Sequence, residues 1–401
     1  MECVTKINEN LYYVGGSERK IHLFENMFPV PNGVSYNSYL LVDEKTVLFD
    51  TVDWSIGDLF LENIEFVLNG RPLDYLIVNH MELDHSKMVK VILEKYPTTK
   101  VVLNQKALAM LNAFVHSDYT SRAIIVNEFD TLKVGEHEFT FVFAPMVHWP
   151  EVMMTYDKKD KILFSADAFG SFGSLDGNIF SSDIDIDSEY YSEMRRYYAN
   201  IVGKFGQAVT NVLNKAKDLE IKMICPLHGA IWNDKIDIIL RKYKTWSSYL
   251  PEDNTVSIYY ASMYGNTENA CYALANALAK RNIKNIKMFD VSKTDISYLI
   301  SDVFRTKTIV IASPTYNGGL YPKMENFLTD LNALNVQNKH VAIIENGTWA
   351  ITASKLIKKH LEPLKNITLI NKELRISSNL CNNQKLIIDE MADEIGKSLE
   401  A

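Results

Sequence analysis

From Val256 to the C-terminus, short apolar runs alternate with helical stretches, and this pattern limits the fold more than any other feature of the chain. The runs are Val256–Tyr260, Ile286–Asp290, Thr308–Ala312 and His340–Glu345. The helical stretches are Glu268–Arg281, Lys323–Leu334, Ala350–Leu364 and a last one from Gln384. Parallel strands need a long crossover between them, and helices supply it. The alternation therefore predicts a doubly wound parallel sheet with helices on both faces.

The first 250 residues read differently. Tyr36–Leu41 and Thr46–Asp50 flank Asp43-Glu44-Lys45 as a hairpin, and Val152–Tyr156 and Ile162–Ser165 flank Asp157-Lys158-Lys159-Asp160 as another. Leu73–Val78 and Ile221–Ile224 are compact buried-strand runs, and Glu138–Phe143 alternates. A helical stretch over Asp187–Lys217 opens on Asp187-Ser188-Glu189, which is N-cap chemistry. Gly203 and Gly206 are expected to break it. This mixture predicts sheets covered by helices without simple βαβ alternation. The polar stretch Pro251-Glu252-Asp253-Asn254 separates the halves into domains 1–250 and 254–401. The loop Gly170–Gly177 reads as a lid or as an ordinary surface loop.

Composition excludes several functions. A formal charge of −8 disfavours nucleic-acid or anionic-membrane binding, which needs a basic face. No apolar run approaches the ~20 residues that cross a bilayer, and the first residues show no signal pattern. Cys3, Cys225, Cys271 and Cys381 are scattered and form no CxxC pair. A zinc ribbon, a rubredoxin-type iron site and an iron–sulfur cluster all lack their ligand spacing, and reduced cytosolic thiols are expected. A transition metal would have to be held by imidazole and carboxylate.

Asn79-His80-Met81-Glu82-Leu83-Asp84-His85 offers such ligands directly after an apolar strand. Three more candidates stand just after strand-like runs: His148 in Ala-Pro-Met-Val-His-Trp-Pro, Asp167 in Leu-Phe-Ser-Ala-Asp, and His228 in Cys-Pro-Leu-His-Gly. One histidine at a strand end is usually structural. Four such segments in one domain point to a metal centre.

In the second half, Ala261-Ser262-Met263-Tyr264-Gly265-Asn266-Thr267-Glu268 joins a strand to a helix. Hydroxyl, glycine and amide residues at a helix N-terminus make a nest for a phosphate, or simply a well-capped helix. The pattern is not G-x-G-x-x-G, so a mononucleotide fits better than a dinucleotide. Two further strand ends, Ser313-Pro314-Thr315-Tyr316-Asn317-Gly318-Gly319 and Glu345-Asn346-Gly347-Thr348-Trp349, offer an aromatic beside small polar residues. Tyr316 and Trp349 read as ring-stacking partners or as core aromatics.

The order of the metal motifs resembles the metallo-β-lactamase fold, an αββα sandwich whose usual signature is His-x-His-x-Asp-His followed by a His, an Asp and a His. Glu82 departs from it. Carboxylate in place of imidazole makes the site harder and shifts preference from zinc toward iron or manganese. The second half resembles flavodoxin, which implies FMN. Its phosphate would lie on Ser262, Met263, Tyr264, Gly265, Asn266 and Thr267. Its ring would lie between Pro314, Thr315, Tyr316, Asn317, Gly318 and Gly319 on one side and Asn346, Gly347, Thr348 and Trp349 on the other.

The pairing, in this order, resembles the flavodiiron protein family (A-type flavoproteins). The resemblance implies one iron on His80, Glu82 and His148, a second on Asp84, His85 and His228, and Asp167 bridging both. It implies a cytoplasmic oxidoreductase that reduces dioxygen to water or nitric oxide to nitrous oxide, detoxifying the cell. It also implies a head-to-tail homodimer, with a tetramer left open. Without CxxC pairs a fused rubredoxin is not expected, so the donor would be a separate rubredoxin or flavin reductase. No catalytic residue is expected beyond the metal ligands. Tyr197 is a candidate hydrogen-bond donor to the gas, although a core aromatic is the plainer reading. Two other functions stay open: a zinc-dependent hydrolase with a flavodoxin-like accessory domain, and a flavin electron carrier whose first half only docks partners.

Overall fold

The computed structural model describes residues 2–400, with Asp187 and Ser188 in backbone only, so the N-cap expected there lies outside the described side chains. The chain divides into two compact units. One is the chain up to Tyr198 with Gln207–Lys244; the other is Ala199–Gly206 with the chain from Thr245 onward.

The first unit is built on two sheets. One runs β1 (Thr5–Lys6), β2 (Leu11–Tyr13), β3 (Tyr39–Val42), β4 (Thr46–Phe49), β5 (Tyr75–Ile77), β6 (Lys100–Leu103) and β7 (Ala123–Ile125), with neighbours in chain order. It is antiparallel through β4 and parallel from β4 to β7. The other runs β8 (Thr131–Val134), β9 (His137–Phe143), β10 (Met153–Asp157), β11 (Ile162–Phe164) and β12 (Met223–Cys225). Only its β11–β12 pair is parallel. Alternate side chains from both sheets fill one core, because successive residues of a strand face opposite ways. At its centre Phe49 stacks on Phe164 with centroids 3.8 Å apart and meets Phe139 edge-on at 5.3 Å. Helix Gly57–Leu68 buries Phe60, Ile64 and Leu68, one apolar stripe at the helical period.

Two expectations for this unit change. The run Tyr36–Leu41 splits at Asn37-Ser38, and Val34–Tyr36 pairs instead with Gly16–Glu18. Asn37 turns inward, where its amide donates to the carbonyls of Pro226 and Gly229 at 2.9 and 2.8 Å. Most of Gly170–Gly177 is neither lid nor free surface. Phe172 is buried, and the Gly173 and Ser174 amides donate to Gly33 O and Asn32 O at 3.1 and 2.9 Å.

The segment expected as a helix broken at Gly203 and Gly206 is α-helix over Tyr191–Tyr197 between π-turns at Ile186–Tyr190 and Tyr198–Val202, and it breaks in a 3-10 turn at Gly203–Phe205. Helix Gly206–Ala216 follows. A side chain at Gly206 would collide with the Ser247 carbonyl.

The second unit is one parallel sheet: β13 (Asp253–Tyr260), β14 (Lys287–Asp290), β15 (Thr306–Tyr316), β16 (Lys339–Gly347), β17 (Ile367–Leu369) and β18 (Leu374–Ser377). The order is β14-β13-β15-β16-β17, with β18 also parallel to β16. Val256, Ile258 and Tyr260 face helices Asn266–Ala279 and Lys385–Glu400. The alternate residues face the other way: Tyr259 packs on Phe327 at 4.9 Å, and its hydroxyl donates to Asp302 at 2.8 Å. Helix Ile296–Arg305 and strands β17 and β18 were not expected from the sequence. Ser313–Tyr316, expected as loop, continues β15 and folds back through Asn317-Gly318 to pair Gly319–Leu320. Both turn residues have positive φ, 49° and 75°, the conformation a two-residue hairpin turn demands and Asn-Gly tolerates.

Candidate metal centre and cofactor cleft

Every expected metal ligand follows a strand of the first unit. The segment His80–His85 leaves β5 and coils into the short helix Leu83–Ser86. His148 lies between β9 and β10, Asp167 follows β11, and His228 follows β12. These strand ends converge, and the side chains form two groups whose ligand atoms lie within 4.8 Å of one another. One is His80, Glu82, His148 and Asp167; the other is Asp84, His85 and His228.

Asp167 faces both groups with different oxygens. Its Oδ2 lies 3.3 Å from His80 Nε2 and 3.1 Å from His148 Nε2. Its Oδ1 lies 3.2 Å from His85 Nε2 and 3.8 Å from His228 Nε2. Glu82 Oε2 closes the first group at 2.9 Å from His148 Nε2 and 3.3 Å from His80 Nε2. Asp84 Oδ2 closes the second at 3.3 Å from His85 Nε2 and 3.2 Å from His228 Nε2. Donors about 2.1 Å from a common ion stand roughly 3.0–3.4 Å apart, so these separations fit one ion per group.

The group fits metal better than it fits itself. His228 Nδ1 lies 2.7 Å from the Ser35 carbonyl, which assigns its proton there and leaves Nε2 as a lone pair. That lone pair faces His85 Nε2 at 3.0 Å. Both Asp84 oxygens, Asp167 Oδ1 and His85 Nδ1 are buried without a hydrogen-bond partner among the described residues. Burial presses Asp167 toward its neutral form, but His80 and His85 outweigh it and hold the carboxyl well below its usual range. Burial likewise opposes charge on His148, yet Asp167 and Glu82 raise its pKa to about 9. Protons thus do on these rings what a cation does better, and metal binding displaces them.

Other residues hold the ligands. Glu151 Oε1 lies 2.8 Å from His80 Nδ1 and accepts from the Met81 amide at 2.9 Å. Buried Asp50 accepts from Asn79 N at 2.7 Å, Asn79 Nδ2 at 2.8 Å and His80 N at 3.2 Å. Ala166, Met146 and Asp50 have φ of 50°, 66° and 53°, a strain of order 1–3 kcal/mol each that clusters around the ligands. The Val147–His148 peptide is cis. None of these supports is visible in the sequence. Glu151 follows His148 by three positions, but nothing local shows that it reaches back to His80.

The walls around His228 are aromatic. Phe24, Tyr36 and Tyr197 ring His228 with centroids 5.3, 5.7 and 5.5 Å away. Tyr197 is the core aromatic of the plainer reading, with its hydroxyl left over. It is fully buried against Phe172 at 5.1 Å, and its hydroxyl has no hydrogen-bond partner among the described residues. Burial, then Asp167, Asp84 and Glu82, raise its pKa well above the ordinary value, so it stays a neutral phenol.

In the second unit a cleft of about 290 Å³ opens at the carboxyl ends of β13, β15 and β16. It lies at the point where the strand order reverses between β13 and β15, the usual ligand crevice of open α/β sheets. It is lined by Ser262, Met263, Tyr264, Asn266 and Thr267, by Pro314, Thr315, Tyr316, Asn317 and Gly318, and by Asn346, Gly347, Thr348 and Trp349. Gly265 and Gly319, expected as contacts, are not among its lining; Ser378 is. Gly265 instead N-caps the helix at φ 90°, and its amide donates to Ser262 Oγ at 3.1 Å. Gly319 is held in the β15 hairpin.

Two features of this cleft suit a planar ring. Trp349 and Tyr264 are 70% and 91% exposed, large aromatic faces left in solvent at its rim. Buried Asn346 donates to Thr267 Oγ1 at 3.2 Å, and its Oδ1 has no hydrogen-bond partner among the described residues. An amide oxygen free to accept from a ring N–H suits a flavin edge.

Residues 34–229 match the ODP family of beta lactamases, and residues 257–371 match the flavodoxin domain family. An anaerobic nitric oxide reductase flavorubredoxin of Vibrio vulnificus is 31% identical over 349 residues, covering 86% of this chain and 70% of that protein. The structure of a rubredoxin oxygen:oxidoreductase from the anaerobe Desulfovibrio gigas superposes with a TM-score of 0.93 at 26% identity, covering 99% of this chain and 98% of that one. The flavodiiron protein of Giardia intestinalis shares the fold, with a TM-score of 0.90 at 23% identity over 99% of this chain and 98% of its own.

Proposed function

The chain belongs to the flavodiiron protein family, and on that footing we propose that it is an oxidoreductase that reduces dioxygen to water or nitric oxide to nitrous oxide. The observation that carries the reading is Asp167, whose two oxygens are divided between two ligand groups, each with its own carboxylate. His80, Glu82 and His148 would hold one iron and Asp84, His85 and His228 the other, with Asp167 spanning them. The cleft of the second unit would hold FMN. When bound, FMN would supply electrons and the iron pair a place to reduce the gas. The domain of residues 1–250 would serve the irons and that of 254–401 the flavin, although Ala199–Gly206 and residues 245–250 pack with the second unit.

The chain's own residues set the conditions. Glu151 fixes the His80 ring, Phe24 and Tyr36 pack on His228, and the Tyr197 hydroxyl, held against Phe172, would be a buried donor for the substrate. Glu82 and the flavin cleft both argue against a zinc hydrolase. The electron donor is a rubredoxin or flavin reductase, the working unit a head-to-tail homodimer, and the compartment the cytosol.

Anaerobic reduction followed by stopped-flow mixing with each gas tests this, on protein assayed for iron and FMN. A yellow protein with about two irons per chain, bleached by a donor and rapidly reoxidised by either gas, is expected. Two zincs and no gas consumption would refute it. His80→Ala should abolish turnover and keep the flavin; normal gas consumption in that variant would favour a plain electron carrier. Full turnover by a monomer at micromolar concentration would remove the homodimer, and unchanged rates in Tyr197→Phe would remove Tyr197.

A further inference from the structure

A second place in the first unit gathers metal-ligating side chains. His137, Asp157 and Asp160 have ligand atoms within 4.8 Å of one another. They sit where turns of both sheets meet. His137 opens β9, Asp157 and Asp160 bracket the turn from β10 to β11, and Asp43 stands in the turn from β3 to β4. The far ends of β9 and β11 lead to His148 and Asp167. The cluster is therefore at the opposite edge of the sandwich, on the order of 20 Å from the paired ligand groups.

His137 is fully buried, and its Nδ1 lies 2.7 Å from Asp157 Oδ2. A neutral ring donating that N–H keeps a lone pair on Nε2. Nε2 has no hydrogen-bond partner among the described residues and faces Asp43 Oδ2 at 3.9 Å. Two acceptors thus confront each other at a largely buried edge. At 3.9 Å the gap is too long for a hydrogen bond. A cation with bonds of about 2.0–2.2 Å bridges it at an open angle.

The surroundings are already arranged for one. The hydrogen bond to Asp157 is the carboxylate support that orients imidazole ligands elsewhere. Asp43 Oδ2 accepts from the Glu136 amide at 3.0 Å, Asp160 Oδ2 from Asn8 Nδ2 at 2.7 Å, and Asp157 Oδ1 from the Lys159 amide at 3.0 Å. Lys159 Nζ bonds Glu136 at 2.6 Å, and its charge also bears on Asp43 and Asp160. Three carboxylates and one ammonium around the imidazole still leave the pocket net negative.

We propose that His137 Nε2 and Asp43, with Asp160 in reach, form a separate site for one divalent first-row ion of the zinc, manganese or iron(II) class. Its role is structural: it ties turns of the two sheets together at the edge away from the paired ligand groups.

Zinc chloride is the probe, added to iron-loaded full-length protein and followed by gel filtration. The wild type should retain one zinc per chain more than Asp43→Asn, and zinc should raise its Tm while leaving that of the variant unmoved. Asp43 is partly exposed, so its variant folds even where His137→Asn does not. Zinc-edge anomalous diffraction should place the ion between His137 Nε2 and Asp43. Equal zinc content in wild type and Asp43→Asn, or zinc found only at the His80–Asp167 centre, overturns the proposal.

Discussion

Glu82 is the residue on which the chemistry turns, because it stands where related signatures carry a second imidazole. Its Oε2 lies 2.9 Å from His148 Nε2, in the position of a ligand. Glu82→His should move the centre toward zinc and lower gas turnover, read by metal analysis of protein loaded from equimolar iron and zinc. Glu151 is the complementary case, a carboxylate that touches His80 and lies outside both ligand groups. Glu151→Gln should weaken iron binding about 10–100-fold with little change in FMN content, as outer supports of metal-bound histidines do. Competition with a chelator measures it. The ligand positions were readable because each follows an apolar strand run; the supports were not. Glu151, Asp50 and Ser35 act through contacts that exist only once strands distant in sequence have come together.

At the scale of elements, the parallel sheet was legible from its alternation, and what escaped notice was local chemistry that the pattern hides. The turn Asn317-Gly318 carries the strongest short hairpin signal a sequence offers, and it closes a hairpin where the strand-end pattern of small polar residues predicts a loop. Helix Ile296–Arg305 was missed although Asp295 caps it through Ser297 N. Strand β16 begins at fully buried Lys339, whose ammonium donates to Thr306 O at 2.6 Å. Burial lowers its pKa from 10.5 to about 7, with Asp302 opposing and Arg305 adding to the shift. Above pH 7 the folded side chain is neutral while the unfolded one stays charged up to pH 10.5. The unfolded chain then binds more protons, so this group makes stability rise with pH across that interval. Lys339→Met should raise the Tm of the wild type at pH 6, and the gain should shrink toward pH 10, followed by thermal melting across that range.

At the scale of the whole molecule, two units with separate cores each carry half of an electron relay. If the working unit is a head-to-tail dimer, two crippled variants repair each other. Asp167→Asn keeps its flavin cleft, and Ser262→Asp keeps its metal ligands while repelling phosphate. Mixed and re-equilibrated, they should recover roughly a quarter of wild-type turnover, the share expected when half the dimers are hybrid and each hybrid has one working pair. Stopped-flow reoxidation reports it, and a mixture that stays inactive places transfer within one chain. Composition had set the limits at this scale, since absent CxxC pairs excluded thiolate-held iron. How the two ligand groups share a residue was beyond its reach. Asp167 gives that sharing a consequence for loading. An ion in one group would fix the carboxylate, and with it the oxygen offered to the other, so the two positions would be loaded as a coupled pair and not as independent sites.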